Sequence, residues 1–220
     1  MFTGLIREIG TLRSVSPRAG VLRLVIAAPR TAATVGVGDS IAVGGICLTA
    51  VAVGRGSITV EAADETRRLT TLGTWRIGRR LHLEPALRLG DGLDGHLVQG
   101  HVDGVGTVSS LRKGGGGWHL TVAYPGDLGR FLTPKGSVAV DGVSLTVDEG
   151  PFTGTFTANL IPHTMEQTTF AGLKPGDLVN LEMDVLVKAA RQPAAAGRPG
   201  LTLDRLFAAG FGRTGRRGSP

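Results

Sequence analysis

The sequence predicts an all-β protein built from two tandem copies of one small domain and followed by a short helical segment. An internal repeat, a series of short apolar runs and a change of pattern after Asp184 lead to this prediction. The 220 residues include 35 glycines and 11 prolines, which is typical of short strands joined by tight turns. Aromatic residues make up only 5%, so we expect the cores to be mainly aliphatic.

Four motifs of the first half recur in the second half in the same order. The decapeptide SIAVGGICLT, which starts at Ser40, returns at Ser137 as SVAVDGVSLT. The spacing changes only slightly from one pair of motifs to the next, as single insertions in turns would produce. The other pairs are Gly4-(x)5-Gly10 with Gly100-(x)5-Gly106, Thr66-(x)3-Thr70 with Thr164-(x)3-Thr168, and Gly78-(x)5-Glu84 with Gly176-(x)5-Glu182. We interpret the chain as a tandem duplication.

Each half is predicted to form about six short strands, because apolar or alternating runs are bounded by Gly, Pro, Asp or Ser. This pattern favours a small closed barrel or a sandwich, and closure removes exposed strand edges. In the second half we expect a hairpin turn within Lys113–Gly117 and a short helix at Asp127–Leu132. The runs of the first half are 9–15, 21–27, 40–43, 48–53, 57–62 and 80–84.

The C-terminal segment differs from both repeats. Val185–Arg191 is predicted to be helical, and the Ala/Gly/Pro-rich stretch Pro193–Gly200 ends that helix. A second helix is expected over Thr202–Ala209, with disorder from 213 to 220. Since no barrel remains to be covered, we expect these helices to pack against another subunit.

Composition and motifs argue against several classes of function. The net charge of +6 is concentrated in the C-terminal tail, and one Tyr gives no aromatic stripe for stacking bases, so no nucleic-acid partner is expected. Cys47 is the only cysteine, and no leader or membrane-spanning run is apparent, so we expect a cytoplasmic protein without a membrane partner. Dinucleotide, phosphate-loop, serine-hydrolase and metal-ligand motifs are lacking, so we expect no cofactor and no metal.

Small polar residues at matching repeat positions are the first candidates for a site. Cys47 and Ser144 are equivalent, and each is followed by Leu-Thr. A lone cysteine is often only a small buried residue, but its equivalence to a serine makes a binding or catalytic role as reasonable. Asp141 has no acidic counterpart, because its partner position is Gly44. This asymmetry suggests that the two sites have different roles.

Histidines are the candidates for proton transfer near neutral pH. The five-residue spacing of His96 and His101 places them on opposite faces of a strand, which argues against a shared metal ion. A structural role is the alternative for each, and His101 is the better candidate for chemistry. We interpret His82 and His119 as surface residues.

Several motifs in the sequence together resemble those of one known family. The motifs are MFTG at Met1, GICLT at Gly45, GHLVQGHVDGVG at Gly95, DGVSLT at Asp141, LIP at Leu160 and NLEMD at Asn180. Over residues 1 to about 211 the chain resembles the riboflavin synthases, which are trimers built from two lumazine-binding repeats. The resemblance implies two six-stranded Greek-key β-barrels at 1–96 and 97–186, then a C-terminal helix and basic tail at 187–220.

The resemblance also implies an activity. Two molecules of 6,7-dimethyl-8-ribityllumazine exchange a four-carbon unit and give riboflavin and a ribitylamino-pyrimidinedione, without a metal or a redox cofactor. A non-catalytic lumazine- or flavin-binding protein of the same fold is the alternative. A homotrimer is implied, and lumazine synthase is a further candidate partner.

Site residues follow from the same resemblance, and the match is weakest at Gly44, His82 and Pro85, where the chain departs from the family pattern. The catalytic candidates are Cys47, His101, Asp141, Ser144, Thr146 and Asp184. One pocket is expected to be lined by Gly4, Leu5, Ile6, Cys47, Leu48, Thr49, Glu61, Ala62, Ala63, Asp64, Glu65 and Thr66. The other is expected to be lined by Gly100, His101, Val102, Lys135, Ser144, Leu145, Thr146, Ile161, Pro162, His163, Thr164, Met165 and Glu166.

Overall fold

The structure is a computed structural model that describes residues 1–18, 20–148 and 150–191. Residues Met1–Ala190 form one compact unit that contains two antiparallel sheets of six strands, which confirms the predicted all-β class. The first sheet consists of β1 (Glu8–Arg18), β2 (Val21–Ala27), β3 (Ser40–Val43), β4 (Ile46–Gly54), β5 (Ser57–Ala63) and β6 (Arg80–Pro85). The second consists of β7 (Gly104–Gly114), β8 (Gly117–Ala123), β9 (Ser137–Val140), β10 (Val143–Thr146), β11 (Thr155–Leu160) and β12 (Leu178–Met183).

The first sheet closes into a barrel in the order β1-β2-β5-β4-β3-β6. Closure is made between β1 and β6, where Gly10 lies opposite Leu81. The chain leaves β2 and enters β3, which is not its neighbour in the sheet, so the order is that of a Greek key. A side chain at Gly10 would collide with Leu83 and Ile26, so this repeated glycine allows tight packing inside the barrel.

The second sheet has equivalent neighbours in the order β10-β9-β12-β7-β8-β11, but no strand ladder closes it, so only the first of the two predicted barrels is fully closed. We call the second sheet the second barrel because a single bridge joins the chain at its two ends. In the first barrel β4 and β5 form a continuous ladder. Their counterparts β10 and β11 are joined by one bridge, Val147 to Ala158, and by the hydrogen bond from the Asp148 N–H to the Thr157 carbonyl (2.8 Å). The reason is that β10 ends at Thr146, so little of it remains to pair with β11.

Two equivalent hairpin turns bring the barrels into contact. Gly44-Gly45 joins β3 to β4, and Asp141-Gly142 joins β9 to β10. All four residues have positive φ (55°, 80°, 45° and 82°), as a two-residue type I′ turn requires. A Cβ atom on Gly45 would lie 2.5 Å from the backbone nitrogen of Gly142, so the approach of the two turns needs glycine.

Each barrel has its own core, and the alternation along β4 and β10 determines what faces outwards. Leu48 and Leu145 are buried in the first and second cores. Successive side chains on a strand point to opposite faces, so Cys47 and Ser144, which precede them, point away from the cores. The repeat therefore places its small polar residues on the outside of each barrel.

Short helices complete the fold, at α1 (Pro29–Ala32), α2 (Asp64–Leu69), α3 (Pro162–Gln167) and α4 (Val185–Ala190). The first three were not predicted, whereas α4 confirms the helix expected after Asp184. A 3-10 turn at Leu128–Phe131 takes the place of the predicted helix Asp127–Leu132, and β7 and β8 are joined by the expected glycine turn. The predicted helix Thr202–Ala209 and the tail from 213 onwards lie outside the described residues.

Candidate active site

The segment that precedes each barrel lies against the other barrel. The Ser144 N–H donates to the carbonyl of Gly4, and the Cys47 N–H donates to the carbonyl of Gly100, both at 2.9 Å. The two glycines have φ of +79° and +77°, and a Cβ atom on either would lie 2.6 Å from the Cβ of Ser144 or Cys47. Only glycine lets the chain pass this close. Each repeated glycine therefore contacts the small polar residue of the opposite repeat.

Apolar contacts follow the same crossed pattern. Ile6 packs against the core of the second barrel, and Val102 packs against the core of the first. The two segments are tied together by an antiparallel bridge in which the Phe2 N–H donates to the Val98 carbonyl (2.7 Å) and the Val98 N–H donates to the Phe2 carbonyl (3.1 Å). The crossing is thus held by hydrogen bonds and by packing.

The expected composition of the two pockets was wrong in one respect. The resemblance predicts Gly4–Ile6 in the pocket of Cys47, and Gly100–Val102 in the pocket of Ser144. The structure exchanges these segments, because Gly4 contacts Ser144 and Gly100 contacts Cys47. A duplication identifies equivalent segments but does not determine which barrel each one covers.

Two glutamates hold the crossed segments in place. Glu84 accepts hydrogen bonds from the N–H groups of Thr3 (2.7 Å) and Gly4 (3.0 Å), and Glu182 accepts from those of residues 99 and 100 (2.7 and 2.8 Å). Burial raises the pKa of both carboxyls, and these hydrogen bonds oppose the rise. Sequence reasoning matched the two glutamates as a repeat but gave them no role. The available signal is that both repeats keep a glutamate at the same position, near the end of β6 and of β12.

A cavity of about 320 Å³ forms where Gly4–Ile6 meets the second barrel. Ser144 lines it, and the Oγ of Ser144 lies 2.7 Å from Nδ1 of His96. His96 is buried, and its Nε2 has no hydrogen-bond partner among the residues that the structure describes. Burial lowers the pKa of His96, and the negative charge of Asp184 acts in the opposite direction. A neutral imidazole beside a cavity hydroxyl is suited to accept a proton.

The structure pairs His96 with Ser144, whereas the sequence favoured His101. His101 is exposed and follows Gly100, which contacts Cys47. Neither histidine lies in a strand, so the argument from opposite strand faces was wrong. The side chain of His96 meets Ser144 because the connection between the barrels passes over the second barrel, and no local pattern indicates that path.

The assignment of His82 to the surface was also wrong. His82 is buried in β6 at the contact between the barrels. The Thr169 N–H donates to Nε2 of His82 (2.8 Å), so Nδ1 carries the proton and donates to the carbonyl of Asp141 (3.0 Å). Burial lowers the pKa of His82 to about 4, and the Asp141 hydrogen bond only partly offsets this. The ring is therefore neutral at physiological pH.

Asn180 occupies the equivalent place on the other side of this contact. It accepts from the Thr71 N–H and donates to the carbonyl of Gly44, both at 2.8 Å. Its own N–H donates to the carboxylate of Asp141 (2.7 Å). Asp141, a catalytic candidate, is thus buried at the barrel contact, and burial raises its pKa to about 6.

The other candidates are spread between core, surface and ion pairs. Ala62 and Met165 belong to the two cores, and Glu61 pairs with Arg23 (2.7 Å). Asp184 accepts from the Leu186 N–H (2.8 Å) at the start of α4. Leu5, His163 and Thr164 line the cavity beside Ser144. Exposed or half-exposed candidates outside that cavity lining are Thr49, Ala63, Asp64, Glu65, Thr66, Lys135, Thr146, Ile161, Pro162 and Glu166.

Two further observations concern other kinds of site. Within residues 1–18, 20–148 and 150–191, no group of three or more His, Cys, Asp or Glu side chains is placed to hold a metal ion. In the same part of the chain no helix is long and apolar enough to cross a membrane.

Comparison with known proteins shows to which class of proteins the chain belongs. The family model described as the lumazine binding domain matches the chain twice, over residues 3–86 and 99–184. Solved structures of LumP, in complex with 6,7-dimethyl-8-(1'-D-ribityl) lumazine or with riboflavin, share the fold with TM-scores of 0.74 and 0.76. They are 21% and 22% identical in sequence and cover 83% of this chain and 99% of LumP. The chain is thus a duplicated lumazine-binding-domain protein.

Sequence relatives identify the family more closely. The riboflavin synthase of Brucella abortus (strain 2308) is 42% identical over 199 residues, covering 88% of this chain and 98% of the relative. The riboflavin synthase of Actinobacillus pleuropneumoniae is 33% identical over 220 residues, covering 96% of this chain and all of the relative. The chain therefore belongs to the riboflavin synthase family.

Proposed function

We propose that this chain catalyses the riboflavin synthase reaction. Two molecules of 6,7-dimethyl-8-ribityllumazine give riboflavin and 5-amino-6-ribitylaminouracil, as a four-carbon unit passes from one molecule to the other. The products contain all the atoms of the two substrates, so no oxidant or reductant is consumed. The observation that carries the proposal is the duplicated site, in which Gly4 meets Ser144 and Gly100 meets Cys47. Two equivalent sites suit a reaction between two identical molecules.

In this reaction the main roles of the protein are to position the two substrates and to transfer protons. The 7-methyl protons of the lumazine are acidic, so a base need only assist their removal, while a small nucleophile or water adds to the second molecule. Ser144 with His96 is the pair that the geometry offers beside the cavity. Cys47 and His101 are the corresponding candidates in the other repeat. Holding two rings face to face supplies much of the remaining rate through proximity.

The proposal extends to assembly and location. A homotrimer would bring the second barrel of one chain opposite the first barrel of its neighbour, so that the two substrates meet between subunits. The division at 1–96, 97–186 and 187–220, a cytoplasmic location and an association with lumazine synthase belong to the same proposal. The family resemblance supports them, together with the exposed Leu186 on α4.

A carrier that binds a lumazine or a flavin without turnover is the second candidate, favoured by the structural likeness to LumP. Incubation of the purified chain with the lumazine separates the two functions. We expect riboflavin fluorescence to rise together with release of the pyrimidinedione, at a rate unchanged by excess EDTA and without added nicotinamide or flavin. Binding of the lumazine without any product would favour the carrier, and activity lost to EDTA but restored by a divalent ion would contradict the metal-free reaction.

A further inference from the structure

Two arginines line the cavity beside Ser144, and no carboxylate lines it. Arg7 follows Ile6, which packs on the second barrel, and Arg30 lies in α1 of the first barrel. Both arginines are exposed at the rim of the cavity, and within the described residues neither guanidinium forms an ion pair or a side-chain hydrogen bond. The nearest carboxylate in sequence, Glu8, is buried and accepts the backbone N–H groups of Arg30 (3.1 Å) and Thr31 (2.6 Å). Two cations therefore face one cavity without a bound anionic partner.

The equivalent place in the other repeat has the opposite charge. Thr11 and Thr107 are equivalent in the two barrels, because each pairs with the last residue of the neighbouring strand. Arg7 and Asp103 each lie four residues before these threonines, so they are equivalent too. The carboxylate of Asp103 pairs with the ammonium of Lys188 (2.8 Å) and accepts the N–H of Met183 (2.7 Å). Ala27 and Ala123 are equivalent as the last residues of β2 and β8. Arg30 and Gly126 each lie three residues further on, so Arg30 corresponds to Gly126. The arginine pair is thus a property of one of the two pockets.

Other charges near the arginines do not neutralise them. The Glu84 carboxylate accepts hydrogen bonds from the N–H groups of Thr3 and Gly4. The positive charge of Arg7 also lowers the pKa of Glu84, but it is the smallest of the contributions. Glu8 and Glu166 share a neighbouring concavity with both arginines, but the Glu8 carboxylate accepts backbone N–H groups, and among the described residues no ion pair joins Glu166 to either arginine. A guanidinium presents a planar set of donors that fits phosphate oxygens, and a phosphate monoester carries close to two negative charges at neutral pH.

We propose that the cavity beside Ser144 binds a flavin whose ribityl chain ends in a phosphate ester, with Arg7 and Arg30 holding the phosphate. The inference rests on the proposed function, which places a ribityl-bearing ring in this cavity. An uncharged ribityl chain gives two guanidinium groups no charged partner, whereas a phosphate at its end satisfies both. Such a ligand competes with the substrate for this pocket and leaves the pocket beside Cys47 without an equivalent anion site.

Fluorescence titration of the full-length protein with flavin mononucleotide and with riboflavin tests the proposal. At low ionic strength we expect one site per chain that binds flavin mononucleotide about tenfold more tightly than riboflavin, with the preference reduced in about 0.3 M salt. Arg7→Gln and Arg30→Gln should each reduce the preference about threefold or more, and the double variant should remove it. Riboflavin affinity should change less than twofold. Arg18→Gln, which removes an exposed charge at the far end of β1, is the matched control.

The outcomes separate this inference from the proposed function. Riboflavin binding with no preference for the phosphorylated flavin overturns the inference and leaves the function intact. A preference that survives in the Arg7→Gln/Arg30→Gln double variant overturns it as well, because the phosphate is then held elsewhere. If the arginine variants lose as much affinity for riboflavin as for flavin mononucleotide, the arginines contact the part that both ligands share. That result also contradicts the inference. Failure of both ligands and of the lumazine to bind contradicts the proposed function itself.

Discussion

His82 shows how one residue type can replace another when only its hydrogen bonds matter. It accepts one backbone N–H and donates to one carbonyl across the barrel contact, as Asn180 does on the other side. A neutral imidazole therefore serves as an amide in this position. The sequence alone suggested a surface histidine, because it does not show that both faces of β6 are buried.

This equivalence predicts the effect of substitutions at His82. Replacement of His82 by Asn should preserve both hydrogen bonds and cost about 1 kcal/mol or less. Replacement by Ala should leave the Thr169 N–H and the Asp141 carbonyl buried without partners and create a cavity, at a cost of about 3–5 kcal/mol. Urea denaturation measures both, with the exposed His119→Ala as the control. Equal destabilisation by Asn and Ala would contradict the amide-like role.

The shifted pKa values of His82 and Asp141 predict opposite dependences of stability on pH. The folded protein keeps His82 neutral down to about pH 4, whereas the unfolded chain protonates it near 6.5, so its contribution to stability is lost as the pH falls from 6.5 to 4. Asp141 has a pKa of about 6 when folded and 3.8 when unfolded, so its contribution is lost as the pH rises from 3.8 to 6. Between about pH 4 and 6 the two effects offset each other.

Single substitutions should uncover each effect. In Asp141→Asn the free energy of unfolding should fall more steeply on acidification from pH 6.5 to 4 than in the unmodified protein, by up to about 1.4 kcal/mol per pH unit. In His82→Asn it should fall less steeply over the same range. Because other carboxyls titrate in all three proteins, the differences between their denaturation curves are the quantity to compare. Identical pH profiles for the three proteins would show that neither pKa is shifted as stated.

The Ser144–His96 pair leads to a kinetic prediction. Ser144→Ala, His96→Gln and His101→Ala should each lower kcat about 100-fold or more if each removes a proton-transfer or hydrogen-bonding group. If Ser144 and His96 act as one unit, their double variant should be no slower than the worse single variant. The pH profile of kcat should lose its acidic limb in His96→Gln. Additive losses with an unchanged profile would leave His96 with a purely structural role.

At the scale of elements, Glu84 and Glu182 connect the ends of β6 and β12 to the crossed segments. Each carboxylate accepts two backbone N–H groups, and an amide has only one oxygen to offer. Glu182→Gln should therefore loosen the segment at Gly100 and weaken ligand binding beside Cys47, whereas Glu84→Gln should affect the cavity beside Ser144. We expect each to cost about 1–3 kcal/mol of stability. Ligand titration that counts sites per chain should show a different weakened site in each variant.

The strands and the duplication could be read from the sequence, because period-two alternation and turn residues are local signals. The partners of Gly4 and Gly100 could not, since both segments match the repeat equally well and only the tertiary path shows that they cross. Helices α2 and α3 were missed because a six-residue helix is too short to show helical periodicity. The exchange places Ile6 against the second barrel and Val102 against the first, so the grouping of these segments is corrected while the roles of the site residues stay a prediction.

At the scale of the whole molecule, the sequence after the two barrels suggests that subunits assemble through it. The apolar residues Leu201, Leu203, Leu206 and Phe207 lie beyond the two barrels in the sequence, and no barrel strand remains for them to cover. Lys188 in α4 pairs with Asp103 of the second barrel, so a truncation at 185 would disturb the barrel as well as the tail. A truncation after Arg191 keeps this ion pair and isolates the effect of the tail.

We expect the chain truncated after Arg191 to keep its β-sheet circular dichroism and its lumazine binding. Its mass by light scattering should fall below that of the full-length assembly, and turnover should fall with it, since the two substrates are proposed to meet between subunits. The matched control replaces Arg213, Arg216 and Arg217 with Gln, which lowers the charge of the tail but keeps its apolar residues. A truncated chain that is monomeric and still turns over at the full-length rate would refute the shared site, because one chain would then hold both substrates in reacting positions. Unchanged mass and unchanged turnover would instead show that residues after 191 do not hold the assembly together.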